Sequence, residues 1–406
     1  MPSPAPDAPG SPRLHYARFD PSPCHYPAPR VPLLPRCTAA ALRALPSRSF
    51  EAIGAAGTRS SFSRGRYALW QAYRSCGIGP AGALLVPAYH CRTMLDPGLS
   101  LRSTPLLYRV DALLRPELAH IDALIRDSAV PVRALLLTHC FGFAQDAADW
   151  RRVCNDRGLK LIEDCSHAMI NRRGHERLGI AGHFSAASPY KFFPCEEGGL
   201  LIAAADAPPT APLEQRPAGW RAEAEVLDLA RSRRRDRDLS TPALAAAVEA
   251  LLRDPGASGI ERLNEHGEPS TLYAPADEQR AGTHAGRAIA ALCQVDHLAL
   301  ARRANYRRWL DAVAGLPGCR ALFGELPDDT VPYMFPLVVD DAAPRFHLLK
   351  RLGLPIWRWD DMAQGGCAVA DAYRLSVWHL PCHQSLDNTE MTWMMAALSE
   401  VFWRRP

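Results

Sequence analysis

The stretch SPYKFFPCEEGGLLIA, residues 188–203, sets one lysine, Lys191, among Tyr190, Phe192 and Phe193. Two glutamates, two glycines and an apolar run follow. The run GLLIA has the length and composition of a buried strand opened by a turn. An apolar surround disfavours the charged form of a lysine, because the cation loses its hydration. Chemistry that needs a neutral amine as nucleophile asks for such a place. The competing reading is a surface lysine that lays its methylene stem on the rings and keeps its ammonium in water.

Working outward, apolar strands alternate with amphipathic helices. LKLIEDCSHA, residues 159–168, is a strand that ends in two acids, Glu163 and Asp164. VRALLLTHCFGF (132–143) and ALLVPAY (83–89) are further strands. GRYALWQAYRSCGIG (65–79) and AQDAADWRRVCNDRG (144–158) carry apolar residues at helical spacing and stop at glycines. Such alternation predicts an α/β protein with a mostly parallel central sheet and helices on both faces. Ligands of such sheets sit beyond the C-terminal strand ends, where Thr138–His139 and Glu163–Asp164 fall.

The chain has 406 residues and a formal charge of +4, which gives no case for nucleic-acid binding. Its twelve cysteines form no CxxC pair and sit in apolar contexts, as in a reduced, cytoplasmic protein. Residues 1–35 are proline-rich without the apolar core of a signal peptide, and read as a mobile or surface-wrapping tail. No apolar run is long enough for a membrane span. We expect a large domain over 36–300, interrupted by a charged surface insertion at about 206–282, and a smaller C-terminal α/β domain over 301–406. Residues 285–316 read as one long amphipathic helix joining the two. Within the insertion, RSRRRDRD (231–238) is a solvated helix face or a patch for an anionic substrate.

Asp164 at a strand end needs a cationic or hydrogen-bonding partner. A pyridinium nitrogen is one such partner; a helix cap is the plainer alternative. Lys191 follows 27 residues later. SSFSRGRYAL (60–69) opens a helix with serines, Gly65 and Arg66, and the amides of a helix N-terminus cradle anions. Arg66 adds a charge-assisted donor. Ser185 and Ser188 lie just before the lysine. His379 and His383 are four apart, a spacing that suggests a metal, but Pro381 between them breaks the helix that spacing requires.

Together these residues resemble the DegT/StrS-type aminotransferases, fold-type I pyridoxal-phosphate enzymes that act mostly on keto sugars attached to nucleotides. Glu163-Asp164-Cys165-Ser166-His167 fits that family's E-D-x-x-(Q/H). Lys191 followed by Glu197-Gly198-Gly199 fits its lysine and E-G-G. His139-Cys140-Phe141-Gly142 resembles its H-x-x-G, Gly65-Arg66-Tyr67-Ala68-Leu69 its phosphate turn, Val86-Pro87 its strand end, and Leu380-Pro381-Cys382-His383 its closing LPxH. The resemblance covers roughly residues 63–400.

The resemblance implies pyridoxal 5'-phosphate as cofactor, Lys191 as the Schiff-base lysine, Asp164 at the pyridine nitrogen and His167 near the phenolic oxygen. It places Gly65, Arg66 and Tyr67 at the phosphate. Ala186 stands where the family usually has a serine, which leaves Ser185 and Ser188 as the nearest hydroxyls. The residue stacked on the ring falls near Cys91, with Tyr89 or His90 as substitutes. No counterpart of the family's N-x-R-M stretch is recognisable around His284–Ala288. The implied activity is transfer of an amino group from an amino acid such as glutamate to a keto or aldehyde acceptor, with a nucleotide-linked keto sugar as one candidate. The implied assembly is a homodimer with small-molecule partners and no metal. The alternatives are another pyridoxal-phosphate reaction, a lyase or condensing step, and a non-catalytic binding protein that kept the fold.

Overall fold

A computed structural model describes residues 14–38, 57–173, 176–210, 212–231 and 239–404. Its centre is a seven-stranded sheet in the order Thr58–Phe62, Gly199–Ala203, Phe184–Ala187, Lys160–Asp164, Val132–Thr138, Ala83–Pro87, Pro105–Tyr108. The five strands from Phe184–Ala187 to Pro105–Tyr108 pair in parallel. Gly199–Ala203 alone runs antiparallel to both of its neighbours. Ala83–Pro87 and Gly199–Ala203 are buried at every position, which is why they read as unbroken apolar runs rather than alternating ones.

The two glycines after Lys191 have separate reasons. Gly198 sits at φ +127°, a backbone conformation that side chains resist. A Cβ on Gly199 would lie 2.2 Å from the carbonyl oxygen of Arg64. The turn therefore brings the lysine loop against the start of helix Gly65–Ser75.

The smaller C-terminal unit holds an antiparallel sheet of Cys319–Ala321, Met334–Val339 and Val377–Pro381. Helix Asn388–Trp403 packs against helices Leu244–Arg253, Val295–Val313 and Ala342–Arg351, touches the sheet through Phe402 on Trp378, and starts with a reciprocal cap between Asp387 and Glu390. The α/β fold with a mostly parallel sheet and a smaller C-terminal unit is thus observed as read from the sequence.

Three local expectations need revision. Residues 285–316 are two helices, His284–Leu292 and Val295–Val313, with Cys293 extended between them. The break lets Ile289, Ala290 and Leu298 pack around Phe193, Leu200 and Ile202, a tertiary gain that periodicity does not register. Within the proline-rich segment, Leu14–Asp20 is the middle strand of a third sheet. Its neighbours are Ile260–His266 from the expected insertion and Asp361–Ala363 from the C-terminal region. The insertion is accordingly tied into the body of the protein as well as exposed. Residues 232–238 of the basic run, and residues 1–13 of the tail, lie outside the described residues. Among the described residues, no helix is long and apolar enough to cross a membrane.

Candidate active site

Strands Val132–Thr138 and Lys160–Asp164 pair Thr138 with Asp164, so both end at the C-terminal edge of the sheet. Asp164 is nearly fully buried. Its Oδ1 accepts the Ser166 amide at 2.9 Å. No other hydrogen bond reaches this carboxylate among the described residues. The Thr138 hydroxyl beside it is buried without a partner. This strand end therefore has hydrogen-bonding capacity left over.

The Ser188 hydroxyl donates to the Ser166 hydroxyl at 3.0 Å. Ser188 also faces the first turn of helix Gly65–Ser75, whose N-cap, Arg64, gives no side-chain cap. A Cβ on Gly65 would lie 2.1 Å from Ser188 Oγ, so only glycine lets the amides and hydroxyls meet. Arg66 lies in this turn and donates to the Leu272 carbonyl. Arg64 donates to the Glu196 carbonyl at 2.8 Å and lies over the Tyr190 ring at 5.1 Å. Arg64, Arg66 and Tyr190 line a cleft that opens to solvent. Asp164, Ser166, Ser188 and Lys191 share it with Gly65 and Arg66.

Lys191 is half-buried, while Phe192 and Phe193 behind it have no exposed surface. Its Nζ lies 5.3 Å from the centroid of the Tyr333 ring and makes no hydrogen bond among the described residues. Three cationic side chains and one carboxylate thus converge on one cleft, which favours an anionic ligand. His167 stacks on Tyr333, with centroids 4.3 Å apart, and its Nδ1 accepts the Phe141 amide at 3.2 Å. Burial, then the charge of Lys191, holds His167 neutral, well below the usual histidine range. The same two causes push His379 down to about 3.

Of the residues singled out from sequence, Gly65, Arg66, Asp164, Ser188 and Lys191 meet at this cleft. His167 stands one ring away, behind Tyr333 and Phe141. Four others lie outside the lining. The Tyr67 hydroxyl accepts the Ala274 amide, and its ring packs on Tyr273. Ser185 donates to the Gly179 carbonyl. The Tyr89 hydroxyl meets His379 Nε2 at 3.3 Å. His90 accepts the Ala363 amide and meets the carbonyls of Pro87 and Ala88. Cys91 and Thr93 reach the cleft in place of Tyr89 and His90. The chain turns there into helix Arg92–Ser100, whose N-cap is Cys91, the position to which the resemblance pointed. Arg64 and Ser166 also line it; both were inside the quoted motifs. Tyr333 carried no sequence signal.

The neighbouring acid behaves differently. Glu163 accepts His139 Nε2 at 3.0 Å, the Gly179 amide at 3.1 Å and the Gly182 amide at 2.5 Å. His139 Nδ1 accepts the Gln145 amide. Burial alone would raise the Glu163 carboxyl, but the histidine and the two amides hold it below the ordinary value. Cys165 completes a cluster with metal-like spacing, yet both nitrogens of His139 and both oxygens of Glu163 are already bonded. His379 and His383 diverge: His383 Nε2 meets the Pro32 carbonyl, and its Nδ1 meets Ser385.

Residues 50–211 match the model of the DegT/DnrJ/EryC1/StrS aminotransferase family. Among similar proteins, the L-glutamine:scyllo-inosose aminotransferase of Streptomyces griseus is 29% identical over 145 residues, 34% of this chain and 33% of that protein. The GDP-perosamine synthase of Vibrio cholerae is 24% identical over 149 residues, 36% of this chain and 40% of that one. The chain thus spans about a third of the length of the first of these relatives. The fold is shared far more widely. An aminotransferase structure from Brucella abortus superposes with a TM-score of 0.58 at 16% identity, over 90% of this chain and 95% of that one. A chain from Streptococcus pneumoniae solved in its PLP form gives 0.62 at 13% identity, over 92% and 98%.

Proposed function

We propose that the chain, whose residues 50–211 match the DegT/DnrJ/EryC1/StrS aminotransferase family, is a pyridoxal 5'-phosphate-dependent aminotransferase of that family. The donor is an amino acid of the glutamate or glutamine type. The acceptor is a ketone on a polyhydroxylated ring, either a nucleotide-linked sugar or a cyclitol; the names of the two relatives above carry a GDP-linked perosamine and a scyllo-inosose. The observation that carries the reading is one cleft holding Lys191, Asp164 and an uncapped helix N-terminus.

The residues present fit the cofactor. Gly65 leaves the space that a Cβ would fill, and there the amides of Gly65 and Arg66 and the hydroxyls of Ser166 and Ser188 would hold a phosphate. Asp164, with an oxygen to spare, would hold the proton on a pyridine nitrogen. When bound, pyridoxal phosphate supplies an electrophilic carbonyl carbon and an electron-withdrawing ring.

The chain's own part is orientation and proton movement. Lys191 Nζ has no competing hydrogen bond, so its neutral amine would hold the cofactor covalently at its carbonyl carbon, the carbonyl oxygen leaving as water. When not so engaged, the same amine would carry a proton to or from the donor's α-carbon. Neutral His167 and His379 add no positive charge beside it. Phe192 and Phe193 close the far side to water.

The test is the absorbance of the purified protein with pyridoxal phosphate, before and after L-glutamate or L-glutamine, alongside Lys191→Ala. The reading expects a visible band that the amino acid bleaches and that the variant lacks. A protein that stays colourless with added cofactor would overturn it and move the weight to a binding role. Assembly as a homodimer belongs to the same proposal. Light scattering should then read twice the 44.6 kDa chain mass.

A further inference from the structure

Arg302, on helix Val295–Val313, is fully buried and meets no carboxylate among the described residues. All of its hydrogen bonds go to neutral oxygens. Nη2 donates to the Lys191 carbonyl at 2.9 Å. Nη1 donates to the carbonyls of Pro332 and Tyr333 at 3.1 and 3.0 Å. Nε donates to Gln384 Oε1 at 2.9 Å, and Gln384 returns a bond to the Phe192 carbonyl at 2.7 Å. The guanidinium also lies 4.6 Å from the centre of the Phe192 ring. A buried cation bonded to two separate segments locks their spacing, because either segment's movement leaves charged donors unsatisfied.

Those segments are the lysine loop and the residues entering strand Met334–Val339. Tyr333 is placed from the other side as well. Its amide donates to the Phe141 carbonyl at 2.9 Å. Gly142 lets that loop approach, since a Cβ there would lie 2.7 Å from the Val331 carbonyl oxygen. The Tyr333 ring spans His167 on one hand and Lys191 Nζ on the other. The glycine of His139-Cys140-Phe141-Gly142 thus has a use that reaches the lysine.

We propose that Tyr333, held by Arg302, is a positioning residue for Lys191: its ring is the surface against which the amine is aimed into the cleft. The aromatic face, not the hydroxyl, does this, because the face is what lies toward both Nζ and the His167 ring. The proposal rests on the aminotransferase reading and names a residue that the motifs leave out.

The test compares Tyr333→Phe, Tyr333→Ala and Arg302→Lys with the wild type, loaded with pyridoxal phosphate. Tyr333→Ala should lower the single-turnover rate with L-glutamate by roughly 10–100-fold, the usual consequence of a misplaced reacting group. The donor KM should stay within about twofold, since only the reacting geometry is disturbed. Tyr333→Phe should stay within about twofold on both counts. Visible circular dichroism of the bound cofactor should weaken in Tyr333→Ala and Arg302→Lys but not in Tyr333→Phe. A parallel arm uses cofactor-free protein. Peptide mass spectrometry follows acylation of Lys191 by an amine-reactive ester, which should speed up in Tyr333→Ala. That arm reads the positioning even if no cofactor binds, so its failure is distinguishable from failure of the enzyme reading. If Tyr333→Ala does not fold, Tyr333→Leu replaces it. An alanine or leucine variant indistinguishable from wild type would overturn the proposal, as would a phenylalanine variant as impaired as alanine.

Discussion

Glu163 and Asp164 are adjacent, share one strand and end up in opposite situations. Glu163 is sealed by a histidine and two amides. Asp164 holds one amide and borders an open cleft. Side chains alternate across a strand, so neighbours meet different faces of the sheet. The difference shows how two buried carboxylates on one strand can keep different amounts of hydrogen-bonding capacity. Both are buried, so burial does not separate them. What separates them is the hydrogen-bonding capacity left after the protein has folded.

Four experiments would break or sharpen that contrast. Asp164→Asn should slow the amino-acid half-reaction by roughly 10²–10⁴-fold, on the scale of a lost acid–base group, while the melting temperature stays within about 2 °C. Stopped-flow absorbance measures the rate; an unaffected rate would make Asp164 structural after all. Glu163→Gln should do the opposite. Losing charge-assisted bonds costs about 1.5–3 kcal/mol of stability, read from urea denaturation, with cofactor binding by the folded protein unchanged.

Gly65→Ala tests the cradle. Its Cβ would press on Ser188 Oγ, a strain of about 1–3 kcal/mol, so cofactor affinity should fall roughly tenfold to a hundredfold by fluorescence titration. The smallest effect is a pH dependence. The folded Glu163 carboxyl lies below its ordinary 4.5, so its contribution is complete above 4.5 and is lost as the pH falls through the lower folded value. The stability gap between wild type and Glu163→Gln should therefore narrow only below about pH 4.5. A gap that already narrows well above pH 4.5 would overturn the assignment to this acid.

Much of this was legible before any coordinates. The strand-end acids, Lys191 and the Gly65 turn could be read because each is a local pattern: a strand, a motif, a helix start. The failures come at changes of direction. The resemblance pointed to Cys91 for the residue on the ring, with Tyr89 or His90 as substitutes; the chain turns there and brings Cys91 and Thr93, not the two substitutes, to the cleft. Ser185 and Ser188 could not be ranked by position. Pairing Ser188 with Ser166, and spending Ser185 on Gly179, are tertiary outcomes. The helix break at Cys293 was invisible because both halves keep good helical periodicity.

The sequence by itself determined the α/β class, the parallel centre and the chemical types at the strand ends. Hydrophobic periodicity and turn residues act within a few positions, and a single chain displays them directly. Only the tertiary structure decided which of two adjacent acids keeps an oxygen free, and that Leu14–Asp20 joins a sheet with residues from 260 and 361 onward. It also decided that Arg302, 111 residues from Lys191 in the chain, ties that lysine's backbone to Tyr333. Those facts depend on which distant groups satisfy one another, and that is settled only when the chain has packed.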